Sequence, residues 1–313
     1  MTVFLKRISN ALLLLSLIMV APAWAEGRDF LVDADWLAAE KEKNKNLVIL
    51  EARYHPHRFY TVGHIEGAVQ VQRFKDLGDN LAKPIMRFPS KEKFEKTLRS
   101  WGVNNDSTIV LYDDSSTALV ARLYGTLELF GYDMSKVKIL DGGTIGWTGF
   151  NELTKEATPA PKEGNVTLKD PNPDMLVEWM DVYDDVVSRR DEKVVLVDAR
   201  PADMYNGKTI RHAVQGGHIP GAINIVSLDG TDGQSQTWKS AADLEAMYKD
   251  IPKDKTVYLY CHDGFRMSLG FLQLRSLGYK DVRFVNGGWS AWDGAMTLPI
   301  VQGDKPYDDD YSL

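Results

Sequence analysis

Cysteine is almost missing: the 313 residues contain one, Cys261. A single thiol excludes an intramolecular disulfide framework and any centre built on several thiolates, such as a structural zinc site or an iron–sulfur cluster. Basic charge is also in deficit, with 37 Lys and Arg against 44 Asp and Glu and a net charge of −7. No basic stripe offsets it, so neither nucleic acid nor an anionic membrane is an expected partner. Histidine is sparse, at six. His55-Pro56-His57 with His64 has ligand-like spacing, but a proline-constrained pair reads as a surface turn, and no metal or cofactor is expected. The glycine pairs Gly142-Gly143 and Gly287-Gly288 lack the Gly-x-Gly-x-x-Gly continuation of a dinucleotide loop.

Long apolar runs are absent apart from one at the start. Lys6 and Arg7 precede Ala11–Val20, and Ala23-Trp24-Ala25 supplies small residues at a cleavage point. This reads as an export signal cut after Ala25, too short to span a bilayer. Its loss moves the net charge to −9, because Lys6 and Arg7 are the only charges it carries. The mature chain is expected in the periplasm, without a membrane span. An unpaired thiol kept in an oxidising compartment suggests that the thiol is used.

What the chain does have is a repeat. Leu50-Glu51-Ala52-Arg53 answers to Val197-Asp198-Ala199-Arg200, and Gly63-His64-Ile65-Glu66-Gly67-Ala68 answers to Gly217-His218-Ile219-Pro220-Gly221-Ala222. Thr108–Asp113 answers to Thr256–Cys261, and Leu140-Asp141-Gly142-Gly143 with Trp147 answers to Val285-Asn286-Gly287-Gly288 with Trp292. Four ordered landmarks at nearly constant offset define an internal duplication. In the first half, strands are expected at Leu47–Glu51, Thr108–Tyr112 and Val137–Leu140, with helices near Ser90–Trp101 and Thr117–Phe130. The second half is expected to place strands at Val194–Asp198, Thr256–Tyr260 and Val282–Val285, with helices near Ala241–Tyr248 and Met267–Leu277. Strand and helix alternate, which argues for an α/β protein with one parallel sheet, flanked by helices, in each half. The expected organisation is a signal segment 1–25, a first domain 26–150, a Pro-rich linker 151–174 and a second domain 175–313.

The duplication acts as an internal control. Arg53, Arg200, His64 and His218 occur in both halves and are expected to be scaffolding. Three features occur only in the second half. Cys261 stands where the first half has Asp113, which cannot serve as a sulfur nucleophile. The loop Cys261-His262-Asp263-Gly264-Phe265-Arg266 has a Gly and an Arg that Asp113–Ala118 lacks. The interval from Arg200 to His218 is longer than that from Arg53 to His64, and carries Lys208, Arg211 and His212. A strand that feeds a short loop into a helix aims N–H groups and the positive helix end at the loop. A cysteine there, beside Arg266, is expected to be an acidified thiolate nucleophile, with a pKa of roughly 3.5–7.5 instead of about 8.5.

These residues closely resemble the rhodanese sulfurtransferases in their tandem two-domain form. The resemblance covers nearly the whole mature chain and rests on the Asp-Ala-Arg strand end, Gly-His-Ile-Pro-Gly-Ala, the Cys loop and Gly-Gly-x-x-x-Trp. It implies an inactive N-terminal domain, a catalytic C-terminal domain and a site in the cleft between them. It also implies ping-pong chemistry without a cofactor, in which Cys261 takes a sulfane sulfur from a small anionic donor such as thiosulfate. The resulting persulfide passes sulfur to a thiol, to cyanide or to a periplasmic protein acceptor. Residues 262–266 are the expected cradle, and Arg211 and Arg266 the expected substrate cations. The spacing Cys-x4-Arg is one residue shorter than the Cys-x5-Arg of related phosphatases and arsenate reductases, which favours a smaller transferred group. Mercaptopyruvate enzymes follow the Cys with Gly and Ser, and the tandem thiosulfate enzymes with Arg-Lys; His262-Asp263 matches neither. Of the two arginines that grip the mercaptopyruvate carboxylate, one falls on Arg211 and the other on Met204. The loop is closer to the Cys-x-x-Gly-x-Arg of single-domain bacterial rhodaneses, and Asp263 is expected to repel a dianion. The competing reading is a carrier or sensor that loads sulfur, selenium or an oxyanion on Cys261 and delivers it without turnover.

Overall fold

A computed structural model describes residues 27–79, 81–84 and 86–308. The export segment expected at 1–25 lies outside the described residues. Two five-stranded sheets follow one another along the chain, all of whose strand pairs are parallel. The first contains β1 (Leu31–Val32), β2 (Leu47–Ala52), β3 (Val69–Val71), β4 (Thr108–Asp113) and β5 (Val137–Leu140), in the order β1-β5-β4-β2-β3. The second contains β6 (Leu176–Val177), β7 (Val194–Asp198), β8 (Ile223–Asn224), β9 (Thr256–Tyr260) and β10 (Val282–Val285), in the equivalent order β6-β10-β9-β7-β8. The duplication read from four short motifs is therefore a duplication of topology.

Helices cover the sheets. In the first domain they are α1 (Ala34–Lys43), α2 (Arg58–Thr61), α3 (Arg73–Asp76), α4 (Lys91–Ser100), α5 (Ala118–Leu129) and α6 (Gly143–Thr148). In the second they are α7 (Trp179–Val182), α8 (Ala202–Tyr205), α9 (Ala241–Tyr248), α10 (Phe265–Ser276) and α11 (Gly288–Gly294). The central strands β4 and β9 read as β-branched and aromatic runs because both their faces are covered, and almost every side chain in them is buried. Helix α4 shows the opposite pattern. Ser90 caps it by accepting from the Lys93 N–H, and Phe94 and Leu98 are buried on one face, as their spacing predicts.

The segment 151–172 carries no helix or strand, in keeping with a linker. It is nonetheless tied down. Val166 and Leu168 are buried, and the N–H groups of Gly164 and Val166 donate to the carbonyls of Arg99 and Val103. Helices α5 and α10 pack together, one from each domain, and one apolar cluster runs from Leu50 and Leu111 through to Leu259 and Phe284. The two domains thus share a core, and the carboxyl ends of β4 and β9 come to lie on either side of one cleft.

Candidate active site

The residues that occur in both halves do the same structural work twice. Arg200 pairs with Asp198 at 2.6 Å and donates to the Gly217 carbonyl at 2.7 Å. Arg53 pairs with Glu51 and donates to the Gly63 carbonyl at 2.5 Å. His64 stacks on Phe59 and His218 on Tyr205, and the Nδ1 of each contacts the backbone carbonyl of its stacking partner. All four are buried, as scaffold residues should be. Among the described residues no group of three or more His, Cys, Asp or Glu is placed to hold a metal ion.

Cys261 directly follows β9, the middle strand of its sheet, where a parallel α/β sheet presents its loops to ligands. Gly264, at φ +105°, turns the chain into α10, a conformation that suits glycine. The turn brings the Gly264 N–H to 3.1 Å from the Cys261 sulfur, and the Met267 N–H also donates to it. Behind the loop, Gly288 sits so close that a Cβ there would lie 2.4 Å from the Cys261 carbonyl oxygen. That approach lets the Trp289 N–H donate to the same oxygen at 2.8 Å. The Gly-Gly-x-x-x-Trp motif is thus a backbone clamp on Cys261.

The first domain shows what this cradle is built to hold. Asp113 ends β4, and its carboxylate accepts from four backbone N–H groups: Ser115, Thr117, Leu119 and Val120, at 2.9–3.1 Å. Burial lifts its pKa to about 6, against the four donors that favour the charge. Gly143 approaches the Asp113 carbonyl as Gly288 approaches that of Cys261, and there the Thr144 hydroxyl donates to it at 3.3 Å. The same architecture therefore carries a fixed anion in one domain and a sulfur atom in the other.

The electrostatics of Cys261 differ from the expectation. The side chain is 1% exposed, and burial pushes its thiol above the ordinary range. Asp263 pushes in the same direction; Arg266 and the N–H groups of Met267 and Gly264 pull it back. The acidified resting thiolate expected from helix and loop dipoles is corrected to a neutral thiol, because desolvation outweighs them. Burial likewise holds the His262 imidazole below its usual range; its Nε2 lies 3.3 Å from Ser290 Oγ, and its buried Nδ1 has no partner.

Above the loop lies a cleft of about 400 Å³ walled by both domains. His262, Asp263, Phe265, Arg266 and Arg211 all line it, with His212. Gly264 and Cys261 lie beneath this floor, not on it, so the sulfur is one layer below the open space. Lys208 is exposed and is not among the residues that line the cleft. Met204, in the position of the missing second arginine, lies 3.8 Å from an Arg266 guanidinium nitrogen. The opposite wall comes from the first domain, through Tyr54, Arg73 and Phe74. The sequence pattern does not single out these three; their one signal is their place just beyond β2 and β3, at the carboxyl edge of the sheet. A further first-domain contribution is Arg122 on α5. Its guanidinium stacks on Phe88, donates to the Met86 carbonyl at 3.0 Å and presses against the backbone of Gly264. Burial lowers its pKa to about 9, with Cys261 and Asp263 acting in the opposite sense.

Two such sheets, a cysteine loop at the end of one central strand and an acid in its place at the end of the other define a tandem rhodanese architecture. The chain belongs to the rhodanese family: the rhodanese-like domain matches residues 33–149 and again 183–295. It is 30% identical to thiosulfate sulfurtransferase of Corynebacterium glutamicum over 291 residues, covering 88% of this chain and 91% of that one. It is 29% identical to the sulfur carrier protein TtuD of Thermus thermophilus, covering 88% of this chain and 98% of that one. Among solved structures it matches the crystal structure of SseA from Escherichia coli, described as a 3-mercaptopyruvate sulfotransferase, with TM-score 0.72 and 28% identity, over 83% of this chain and 98% of that one. The protein is a rhodanese-type sulfurtransferase.

Proposed function

We propose that this sulfurtransferase works through a persulfide on Cys261, in the periplasm. The Cys261 thiol first loses its proton to solvent, and the anionic donor then enters the cleft. The sulfur then attacks the sulfane sulfur of a donor such as thiosulfate. A bond forms between Sγ and that sulfur, the donor's S–S bond breaks, and sulfite leaves with the electron pair. An acceptor, cyanide or a thiolate, next attacks the outer sulfur and restores the Cys261 thiolate. The observation that carries this reading is the Cys261 cradle, with the Gly264 N–H at 3.1 Å from the sulfur, and its counterpart around Asp113 in which four N–H groups hold an anion. Converging N–H groups stabilise a developing sulfur anion without any proton transfer.

The test is intact mass after incubation with thiosulfate. The expected result is a gain of one sulfur atom, absent in Cys261→Ser and reversed by cyanide with release of thiocyanate. No gain with any sulfane donor, in folded protein, overturns it. The carrier reading has support of its own, since the sulfur is buried and one relative is named a sulfur carrier. It expects stoichiometric loading of Cys261 with no turnover on small acceptors.

A further inference from the structure

The cleft above Cys261 has far more room than a small inorganic sulfur anion fills. At about 400 Å³ it falls in the range of roughly 300–1,000 Å³ that encloses whole organic ligands. Its charge is uneven. Three arginines line it, Arg73, Arg211 and Arg266, while Asp263 is the only carboxylate among the lining residues. None of the three guanidiniums is within ion-pair distance of a carboxylate among the described residues, whereas Arg53, Arg58, Arg87, Arg200 and Arg283 each are.

Arg73 stands apart from the other two. It comes from the domain without a nucleophile, as the first residue of α3. Its guanidinium carbon lies 3.9 Å from the Tyr54 ring centroid and 4.2 Å from that of Phe74, so two aromatic faces hold it in place. Its Nε is buried and has no hydrogen-bond partner. The repeat sharpens the point: four residues past the start of β3 stands Arg73, and four past the start of β8 stands Ser227. Scaffolding does not require an arginine there. The Phe74 ring meets the Phe265 ring at 6.4 Å, edge to face, so an apolar strip connects the Arg73 wall to the floor over Cys261.

Building on the persulfide reading above, we infer that Arg73 is a specificity residue for an organic sulfur compound that carries a carboxylate remote from its sulfur. The carboxylate takes the planar guanidinium fork of Arg73, the organic body lies along Phe74 and Phe265, and the sulfur faces the Cys261 loop. The domain that lacks a nucleophile thereby supplies substrate selection. A charge-assisted hydrogen bond contributes roughly 1.5–3 kcal/mol, which corresponds to about a 10- to 100-fold preference.

The probes are benzenethiosulfonate and 4-carboxybenzenethiosulfonate, which share the reacting group and differ in the remote carboxylate. Sulfur transfer from either forms the Sγ–S bond, breaks the S–S bond to the sulfonyl sulfur and releases the arylsulfinate. Binding is read by calorimetry on the full chain carrying Cys261→Ala, where no transfer occurs. The expected result is a 10- to 100-fold preference for the carboxylated probe, abolished by adding Arg73→Gln. Equal binding of the two probes, no measurable binding of the carboxylated one, or a preference that survives Arg73→Gln overturns the inference. If Arg73→Gln fails to fold, Arg73→Lys decides, because it keeps the charge and loses the fork: the preference falls several-fold, and an undiminished preference overturns the assignment. Loading of wild-type Cys261 by the same probes is read separately by mass. Failure of both to load it counts against the persulfide reading, while the binding preference still decides the role of Arg73.

Discussion

At Cys261 two opposing effects meet, and their balance sets the reactivity of the protein. Burial keeps the thiol protonated and Asp263 adds to this, while Arg266 and the N–H groups of Met267 and Gly264 favour the thiolate. Sulfur uptake by the free enzyme is therefore expected to rise with pH beyond about 8.5, the ordinary thiol midpoint. Removing the Asp263 charge takes away a group that opposes ionisation, so Asp263→Asn shifts the midpoint downward. Arg266→Gln removes a group that favours ionisation and shifts it upward. Alkylation by iodoacetamide at pH 7 therefore becomes about 3- to 10-fold faster in the first variant and slower in the second. Rates measured from pH 6 to 10 decide the matter: identical profiles in all three proteins would mean that loop charges do not reach the sulfur. The loop residues were legible from the sequence because a lone cysteine, a glycine and an arginine interrupt a strand–helix junction. The direction of the thiol shift was not, because desolvation depends on what covers the loop, and the cover includes Arg122 and Phe74 from the other half of the chain.

At the scale of elements, the residue that ends or follows each central strand needs a glycine where the helix after the neighbouring strand meets it. Gly288 starts α11 at φ +53° and Gly143 starts α6 at φ +51°; a Cβ would come within 2.4 Å of the Cys261 carbonyl oxygen at the first and 2.1 Å of the Asp113 carbonyl oxygen at the second. Strain and steric conflict together make alanine at either position costly, roughly 2–4 kcal/mol. Denaturant midpoints of Gly143→Ala and Gly288→Ala are expected to fall by similar amounts. Their chemistry is expected to diverge. Gly288→Ala displaces the Cys261 backbone and lowers sulfur loading measured by mass, whereas Gly143→Ala moves only the Asp113 cradle and leaves loading near wild type. Equal loading in both would show that the clamp is structural alone. The inner strands were legible as apolar runs bounded by turns, and β5, β7, β9 and β10 fall where expected. The edge strands β1, β3, β6 and β8 were not, being two or three residues long, too short for any periodicity. The same shortness hid Arg73, since its place in the site follows from where β3 ends.

At the scale of the whole molecule, the domain without the cysteine is an integral part of the fold. The contact between the domains is not a thin interface: α5 and α10 pack directly, and the apolar cluster crosses from one sheet to the other without a break. Around its edge, Trp238 of the second domain is locked into the first. Its backbone N–H donates to Asp141 at 2.9 Å, its indole N–H donates to Thr117 at 3.1 Å, and Phe30 meets its ring edge-on at 5.5 Å. Arg28, ahead of β1, returns the link by donating to the Lys239 carbonyl at 2.8 Å. Domains that share a core lose each other's support on unfolding, so the protein is expected to unfold in one calorimetric transition whose van 't Hoff and calorimetric enthalpies agree. Trp238→Ala removes a buried aromatic side chain and is expected to cost about 3–5 kcal/mol. Because the lost contacts lie between domains, the variant is also expected to split the transition in two, with the domain less stable on its own melting first. Two resolved transitions in the wild type would mean that the domains fold as separate bodies, and the first-domain wall of the cleft could then not hold Arg73 over the sulfur site.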